Sequence, residues 1–240
     1  MSVLTPEIRA KLANVSTATL TSLLFKRGLR NTFMQGVRSM TPKTNRLLGT
    51  AYTLRHIPAR EDLDRLEVFK DPNYPQRKAV ESIPEGHVLV MDCRGDKTSA
   101  SAGGILMTRL KMRGAAGMVS DGGIRDSGDI AQIEGFPVYC GGPSAPTNMT
   151  RHHAVDIGLP IACGGVAVFP GDVLLGDDDG IVVIPAHLVA EIAEDAAEQE
   201  IFEKFVMEEV SAGATIVGLY PPTTQETEDK YQAWRVKNGL

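Results

Sequence analysis

The stretch between residues 87 and 139 constrains this chain more than any other. HVLVMD (87–92), MVSD (118–121) and FPVY (136–139) are short, strongly apolar runs of strand length. Between the first two lies a helix at 101–113, opened by small residues; a helical turn from about 126 to 133 separates the second from the third. Strand, helix, strand, helix, strand with short connections predicts an α/β layer whose strands lie parallel.

The flanks are read against that layer. Residues 5–29 are predicted to be helical, with Pro6 in a first turn, Ser16 or Thr17 capping a second helix, and Gly28 ending it. Residues 47–54 form a strand after the turn signal Thr41-Pro42-Lys43. Residues 60–69 are a solvated helix and 71–75 a loop, while His152-His153 lies in a solvated loop. From 158 to 180 the pattern of short apolar runs and glycine turns favours an antiparallel sheet or a barrel-like meander, with Asp177-Asp178-Asp179 in a turn. Those acids lack the alternate spacing and closing glutamate of a calcium loop. Residues 187–210 are an acidic amphipathic helix, and the tail from Pro221 is a polar surface arm. No repeat or linker divides the 240 residues, so the chain reads as one domain, 1–240.

A net charge of −5 gives no support for general binding to nucleic acid or anionic membrane. The start, MSVLTPEIRAKL, is charged and has no apolar core of signal-peptide length, and the longest uncharged run, 157–171, is broken by prolines and glycines. Three dispersed cysteines, Cys93, Cys140 and Cys163, show no metal or disulfide spacing and read as reduced thiols of a cytoplasmic protein.

The chemistry is placed in SAGGILMTRLKMRGAAGMVSDGGIRD, residues 101–126. Gly103 and Gly104 leave room for a ligand beside the backbone. The free N–H groups at Gly104, Ile105 and Leu106, in a first helical turn, suit an anion. Arg125 is a planar donor fork for a carboxylate, and Asp126 is a hard oxygen ligand of the kind Mg²⁺ takes. An anion cradle, a guanidinium and a metal carboxylate in one unit predict a metal-assisted site for a small acidic substrate.

GGIL through DGGIRD, then FPV and GGVAVFPGDVLLGDDDGIVVIP, resemble the family that unites the regulator of ribonuclease activity A with 4-hydroxy-4-methyl-2-oxoglutarate aldolases, over roughly residues 85–190. The resemblance implies an α/β/α sandwich of swivelling β/β/α type with a mixed sheet or barrel-like core, assembled as a homotrimer or homohexamer. It implies a divalent cation, Mg²⁺ or Mn²⁺, at Asp126, a keto acid held by Arg125, and a substrate carboxylate on the amides of Gly103, Gly104, Ile105 and Leu106. The implied activity is a class II lyase cleaving a carbon–carbon bond of a 2-oxo acid, by retro-aldol cleavage to pyruvate or by oxaloacetate decarboxylation. The aldolases carry an acid where this chain has Gly104; Asp121 and Asp96 are the replacements the sequence offers. A Schiff-base lyase on Lys97 or Lys111, a sugar-acid dehydratase and a non-catalytic regulator of ribonuclease E stay open as alternatives.

Overall fold

The computed structural model describes residues 3–41 and 46–240. Two helices come first, α1 (Pro6–Leu12) and α2 (Thr17–Lys26). Ser16 caps α2, its hydroxyl accepting from Thr19 N, and Gly28 ends the segment at φ +85°. Then follow β1 (Arg38–Ser39), β2 (Leu47–Pro58), α3 (Pro75–Ser82), β3 (His87–Asp92), β4 (Ala100–Ala102), α4 (Gly104–Met112), β5 (Gly117–Ser120), β6 (Gly123–Ile124), α5 (Ser127–Ile130), β7 (Val138–Cys140) and β8 (Gly142–Pro143). The chain continues through β9 (His152–Ile157), β10 (Ile161–Cys163), β11 (Val166–Val168), β12 (Val173–Gly176), β13 (Ile181–Ile184), α6 (Val189–Ser211) and α7 (Gln225–Lys237).

The main sheet runs β1-β7-β5-β3-β2-β12-β13, with β9 also paired to β2. Its centre is parallel, β2 with β3, β3 with β5 and β5 with β7, as the alternation of strands and helices predicts. Its margins are antiparallel. Side chains alternate faces along a strand, and here each face has its own partner. Leu89 and Met91 of β3 pack with Val80, Met107 and Leu110 of α3 and α4. Val88 and Val90 point the other way, into a core shared with Leu174, Ile181 and Val183 of the β12–β13 hairpin and Val166 of β11. The hairpin's opposite face, Val173, Leu175, Val182 and Ile184, meets Leu20, Leu24 and Ile192 of α2 and α6. Strands thus face strands across an interior core, with helices outside on both sides. This is the sandwich with a mixed, barrel-like sheet that the family resemblance implies.

Five expectations change. The helix expected at 101–113 starts only at Gly104, because residues 100–102 pair in parallel with β6 instead. Residues 60–65 form turns, with a short 3-10 segment at Leu66–Lys70 in place of a helix. The loop at 71–75 leads into α3, which the charged, proline-rich sequence had hidden and which Pro75 starts. His152 is fully buried on β9, and His153 is paired with Asp64 (Nδ1–Oδ1 2.8 Å), so neither lies in a solvated loop. The arm from Pro221 contains α7, whose Tyr231 and Trp234 close an aromatic cluster with Phe202 and Phe205 of α6. Residues three apart share a helix face, so one turn of α7 supplies both rings.

The Asp177–Asp179 stretch is a turn, Asp177 N donating to Gly180 O (3.0 Å). The Asp177 carboxylate accepts from Thr17 N (2.7 Å) and Thr17 Oγ1 (2.9 Å), tying that turn to the start of α2. Residues 42–43 of the expected turn lie outside the described residues.

Candidate active site

A small parallel sheet, β4-β6-β8, stands beyond the carboxyl ends of β3, β5 and β7, where ligands of open α/β sheets bind. Arg125 and Asp126 leave β6 there. Arg125 N donates to Ala102 O (3.1 Å), which ties the pair to β4 and brings it beside the start of α4. Asp126 adopts a left-handed conformation (φ +61°, ψ 36°), at a cost of order 1–3 kcal/mol for a residue with a side chain. That twist turns its carboxylate back to α4, where Oδ2 accepts from Gly104 N at 3.0 Å. Arg125 Nε lies 3.8 Å from the same oxygen. The pair is about half exposed and shares one opening.

Gly103 caps α4 and is fixed by close approach. A Cβ there would sit 2.6 Å from Asp126 Oδ2 and 2.9 Å from Arg125 Cγ and Nε. Gly104 differs: its Cβ would meet Asp126 Cβ at 3.5 Å and Asp129 Cβ at 3.9 Å, both ordinary contacts. The N–H groups of Ile105 and Leu106 make no hydrogen bond among the described residues, so the predicted cradle stands open at two of its three amides. The first, Gly104 N, is taken by Asp126.

Arg125, Asp126, Gly103, Ile105 and Leu106 line a cleft of about 380 Å³, joined by Leu66, Phe69, Gln76, Arg77, residues 100–102, Thr147 and Asn148. Gly104 lies on the adjoining open groove, which Asp126 also borders and into which Asp129 of α5 opens. Asp129 is the second acid beside Gly104, after Asp126. The sequence reading passed over it, although it follows Asp126 at the i+3 spacing that puts two side chains on one side of a helical turn. Arg77 and Asn148 come from distant elements, and no local pattern could have pointed to them.

The replacements offered for the family acid lie elsewhere. Asp121 is buried; its carboxylate accepts from the backbone N–H groups of Cys93 (2.6 Å), Gly95 (2.9 Å) and Gly164 (3.3 Å), and burial pushes its pKa up. Asp96 accepts from Thr98 N (2.9 Å) and Thr98 Oγ1 (2.5 Å), which holds its pKa down. Lys97 donates to Gly36 O (3.1 Å) and Lys111 to Glu134 O (2.6 Å), and neither lines the cleft. All three cysteines are buried free thiols, raised by desolvation: Cys93 to about 12 and Cys140 to about 11. Among the described residues no group of three or more His, Cys, Asp or Glu is placed to hold a metal by itself, and no helix is long and apolar enough to cross a membrane.

Comparison with known proteins bears on the whole arrangement. A protein of Halalkalibacterium halodurans, provisionally named a 4-hydroxy-4-methyl-2-oxoglutarate aldolase, is 34% identical over 151 residues, covering 61% of this chain and 71% of that one. The 4-hydroxy-4-methyl-2-oxoglutarate aldolase of Thermus thermophilus is 32% identical over 121 residues, 50% of this chain and 71% of its own. Among solved structures, Streptomyces coelicolor RraAS2, described as an unusual member of the RNase ES inhibitor RraA protein family, superposes with a TM-score of 0.74 at 30% identity, covering 85% of this chain and 96% of that chain. Residues 12–183 match the family described as RraA-like, Aldolase/RraA, and the chain belongs to that family.

Proposed function

We propose that this protein is a divalent-cation-assisted lyase that cleaves a carbon–carbon bond of a 2-oxo acid, by retro-aldol cleavage or decarboxylation. The observation that carries the reading is the convergence at the start of α4. Arg125, two unpaired amides and Asp126 line one cleft, and Asp129, a second carboxylate without a partner among the described residues, opens into the groove that adjoins it at Asp126. Relatives named as aldolases support the reaction class.

The donor set suits Mg²⁺ or Mn²⁺. Magnesium binds through one or two carboxylates and keeps several waters, so a site without a full protein cage fits it. Asp126 Oδ1 and the Asp129 carboxylate have no partner among the described residues and would hold the ion, which when bound supplies Lewis-acid polarisation of the substrate's 2-oxo oxygen. The substrate carboxylate is held by Arg125 and the N–H groups of Ile105 and Leu106, which fixes the carbonyl at the Asp126 end of the cleft. Asp126 is itself held by Gly104 N, so its orientation does not depend on the ligand. Arg125 lies next to the charge that builds as the bond breaks, and one such oriented donor is typically worth 10²–10³ in rate. The homotrimer or homohexamer belongs to the same proposal and is read by light scattering.

Pyruvate release from oxaloacetate and from 4-hydroxy-4-methyl-2-oxoglutarate, followed with Mg²⁺, with Mn²⁺ and with chelator, tests the reading. Turnover that needs the cation is expected; turnover indifferent to chelator rejects the cation's part. A regulator of ribonuclease is the second reading, favoured by the likeness to RraAS2. Inhibition of a purified ribonuclease E, with no pyruvate from either acid, would reverse the order.

A further inference from the structure

One wall of the cleft is attached differently from the others. It is the 3-10 turn Leu66–Lys70, bracketed by Arg65 and Asp71 in extended conformations (φ −96°, ψ 155° and φ −78°, ψ 116°). Among the described residues, no backbone hydrogen bond of residues 60–70 reaches beyond Asp71. Asp64 N closes on Arg60 O, Val68 N on Arg65 O and Asp71 N on Val68 O. Both ends are fixed. Upstream, Ala59 N donates to Arg151 O (3.1 Å), and Asp64, its side chain 1% exposed, pairs with His153 of β9. Downstream, Tyr74 N and Asn73 N donate to Asp71 O (3.1 Å) and Asp71 Oδ1 (2.8 Å) at the turn into α3.

Between these anchors the hold is apolar. Val68 and Phe69 pack on the core, Phe69 edge-on to Tyr74 (ring centroids 5.8 Å apart) and beneath the Arg77 guanidinium. Leu66 is 69% exposed, borders the cleft and belongs to none of the apolar clusters. A segment with only local hydrogen bonds and few apolar contacts opens at small cost, and active-site lids are drawn from that class. Ile105 of α4, 81% exposed, lines the same cleft. Bringing Leu66 onto it would remove two large apolar side chains from water. Charge opposes that closure: Arg77 and Arg125 line the cleft with a single carboxylate, Asp126, and covering them without an anion strips a guanidinium of water. A bound anion removes the penalty, which is the differential interaction a ligand needs to shift a conformational equilibrium.

We propose that Leu66–Lys70 is a lid, hinged at Arg65 and Asp71, that closes Leu66 onto Ile105 over a bound acid. The Asp64–His153 pair holds its base; both are positioning residues, since neither lines the cleft. The inference rests on the 2-oxo-acid reading above and adds how charge developing on the substrate is shielded from bulk water.

Hydrogen–deuterium exchange of the full chain, with and without oxalate and Mg²⁺, tests it, and calorimetry on the same samples gives Kd. Exchange at the amides of residues 66–70 should slow about tenfold when oxalate binds, more backbone than so small an anion can touch, with no change in α7. Leu66→Ser, at an exposed position, keeps the fold and should weaken oxalate binding about fivefold. Asp64→Asn should lose the ligand-induced protection at 66–70 and Asp64→Glu regain part of it, with exchange in α7 as in the wild type. Oxalate binding with unchanged exchange at 66–70, or Leu66→Ser binding oxalate as the wild type does, overturns the lid and leaves the 2-oxo-acid reading standing. Full protection in Asp64→Asn overturns the anchor. No oxalate binding overturns the lid, and the 2-oxo-acid reading with it if neither oxo acid assayed above releases pyruvate.

Discussion

Two polar clusters stand at the carboxyl ends of the central strands, and they differ in how their hydrogen bonds are spent. At one, Asp121 and Asp92 are buried and their carboxylates accept only from backbone: Cys93, Gly95 and Gly164 for the first, Arg94 and Ala162 for the second. Those bonds tie the loop after β3 to β10 and the turn after it, across the end of the sheet. At the other, Arg125, Asp126 and Asp129 are exposed, and among the described residues Asp126 Oδ2 alone of their side-chain atoms makes a hydrogen bond, with Arg125 Nε 3.8 Å from it. The same residue types are used up in one place and left available in the other. A carboxylate saturated by backbone holds the fold, while a half-exposed one with a free oxygen and a guanidinium beside it can take a ligand.

The sharpest way to break that contrast is to exchange the two losses. Asp121→Ala leaves three backbone N–H groups without their acceptor, each worth roughly 1–3 kcal/mol when buried, and should destabilise the protein by about 4 kcal/mol in denaturant unfolding. If stability were unchanged, the structural role given to the buried cluster would be wrong. Arg125→Ala should do the reverse. We expect kcat/KM for pyruvate release to fall 10²-fold or more, about 3 kcal/mol, with the melting temperature nearly unmoved. A variant that lost stability and activity together would place Arg125 with the structural group.

His56 extends the comparison to pH. It is 1% exposed, its Nδ1 faces Asp92 O at 3.0 Å, and burial pushes its pKa down to about 3. His152, its ring centroid 5.8 Å away, is lowered for the same reason. The unfolded chain takes up these protons near the ordinary value of 6.5, the folded chain only at lower pH. Their contribution is therefore complete above pH 6.5 and is lost as pH falls, for His56 down to about 3. His56 alone should cost about 2 kcal/mol between pH 6.5 and 5. Asp121 and Asp172, raised by burial, act in the opposite sense, since they bind protons more tightly in the folded chain. Comparing wild type with His56→Gln cancels their part, and the variant should show a shallower loss of stability over that window.

The smallest effect separates the two adjacent glycines. Gly103→Ala drives a methyl to within 2.6 Å of Asp126 Oδ2 and should displace the pair, lowering activity well before stability. Gly104→Ala meets ordinary contacts and should change stability by less than about 0.5 kcal/mol. Equal losses of activity at the two positions would show that the opening between Gly104 and Asp129 is part of the site.

Much of this was legible in the chain. The apolar runs at β3, β5 and β7 and the caps of α2 announce themselves, because strand burial and helix capping depend on residues close in sequence. The glycine pair and Arg125-Asp126 stood out for the same reason, since each acts through its nearest neighbours. Helix α3 did not, because its charges and flanking prolines resemble a loop, and only packing against α4 and β9 shows which face is buried. His152 misled in the same way: a polar residue beside an arginine reads as exposed until a strand partner covers it.

What the sequence determined by itself, then, is the alternation of strands and helices and the chemical type of each group at the site. Period-two burial, glycine's freedom and the ligand chemistry of arginine and aspartate are local properties. Only the tertiary structure decided which acid stands beside Gly104 and which residues line the far wall of the cleft. Asp121 is nearer to Gly104 along the chain, yet of the two it is Asp129 that stands beside it, and Arg77 and Asn148 reach the same cleft as Arg125 from a helix and a turn far off in sequence. Side chains meet there because separate elements end at the same edge, and no spacing along the chain records that.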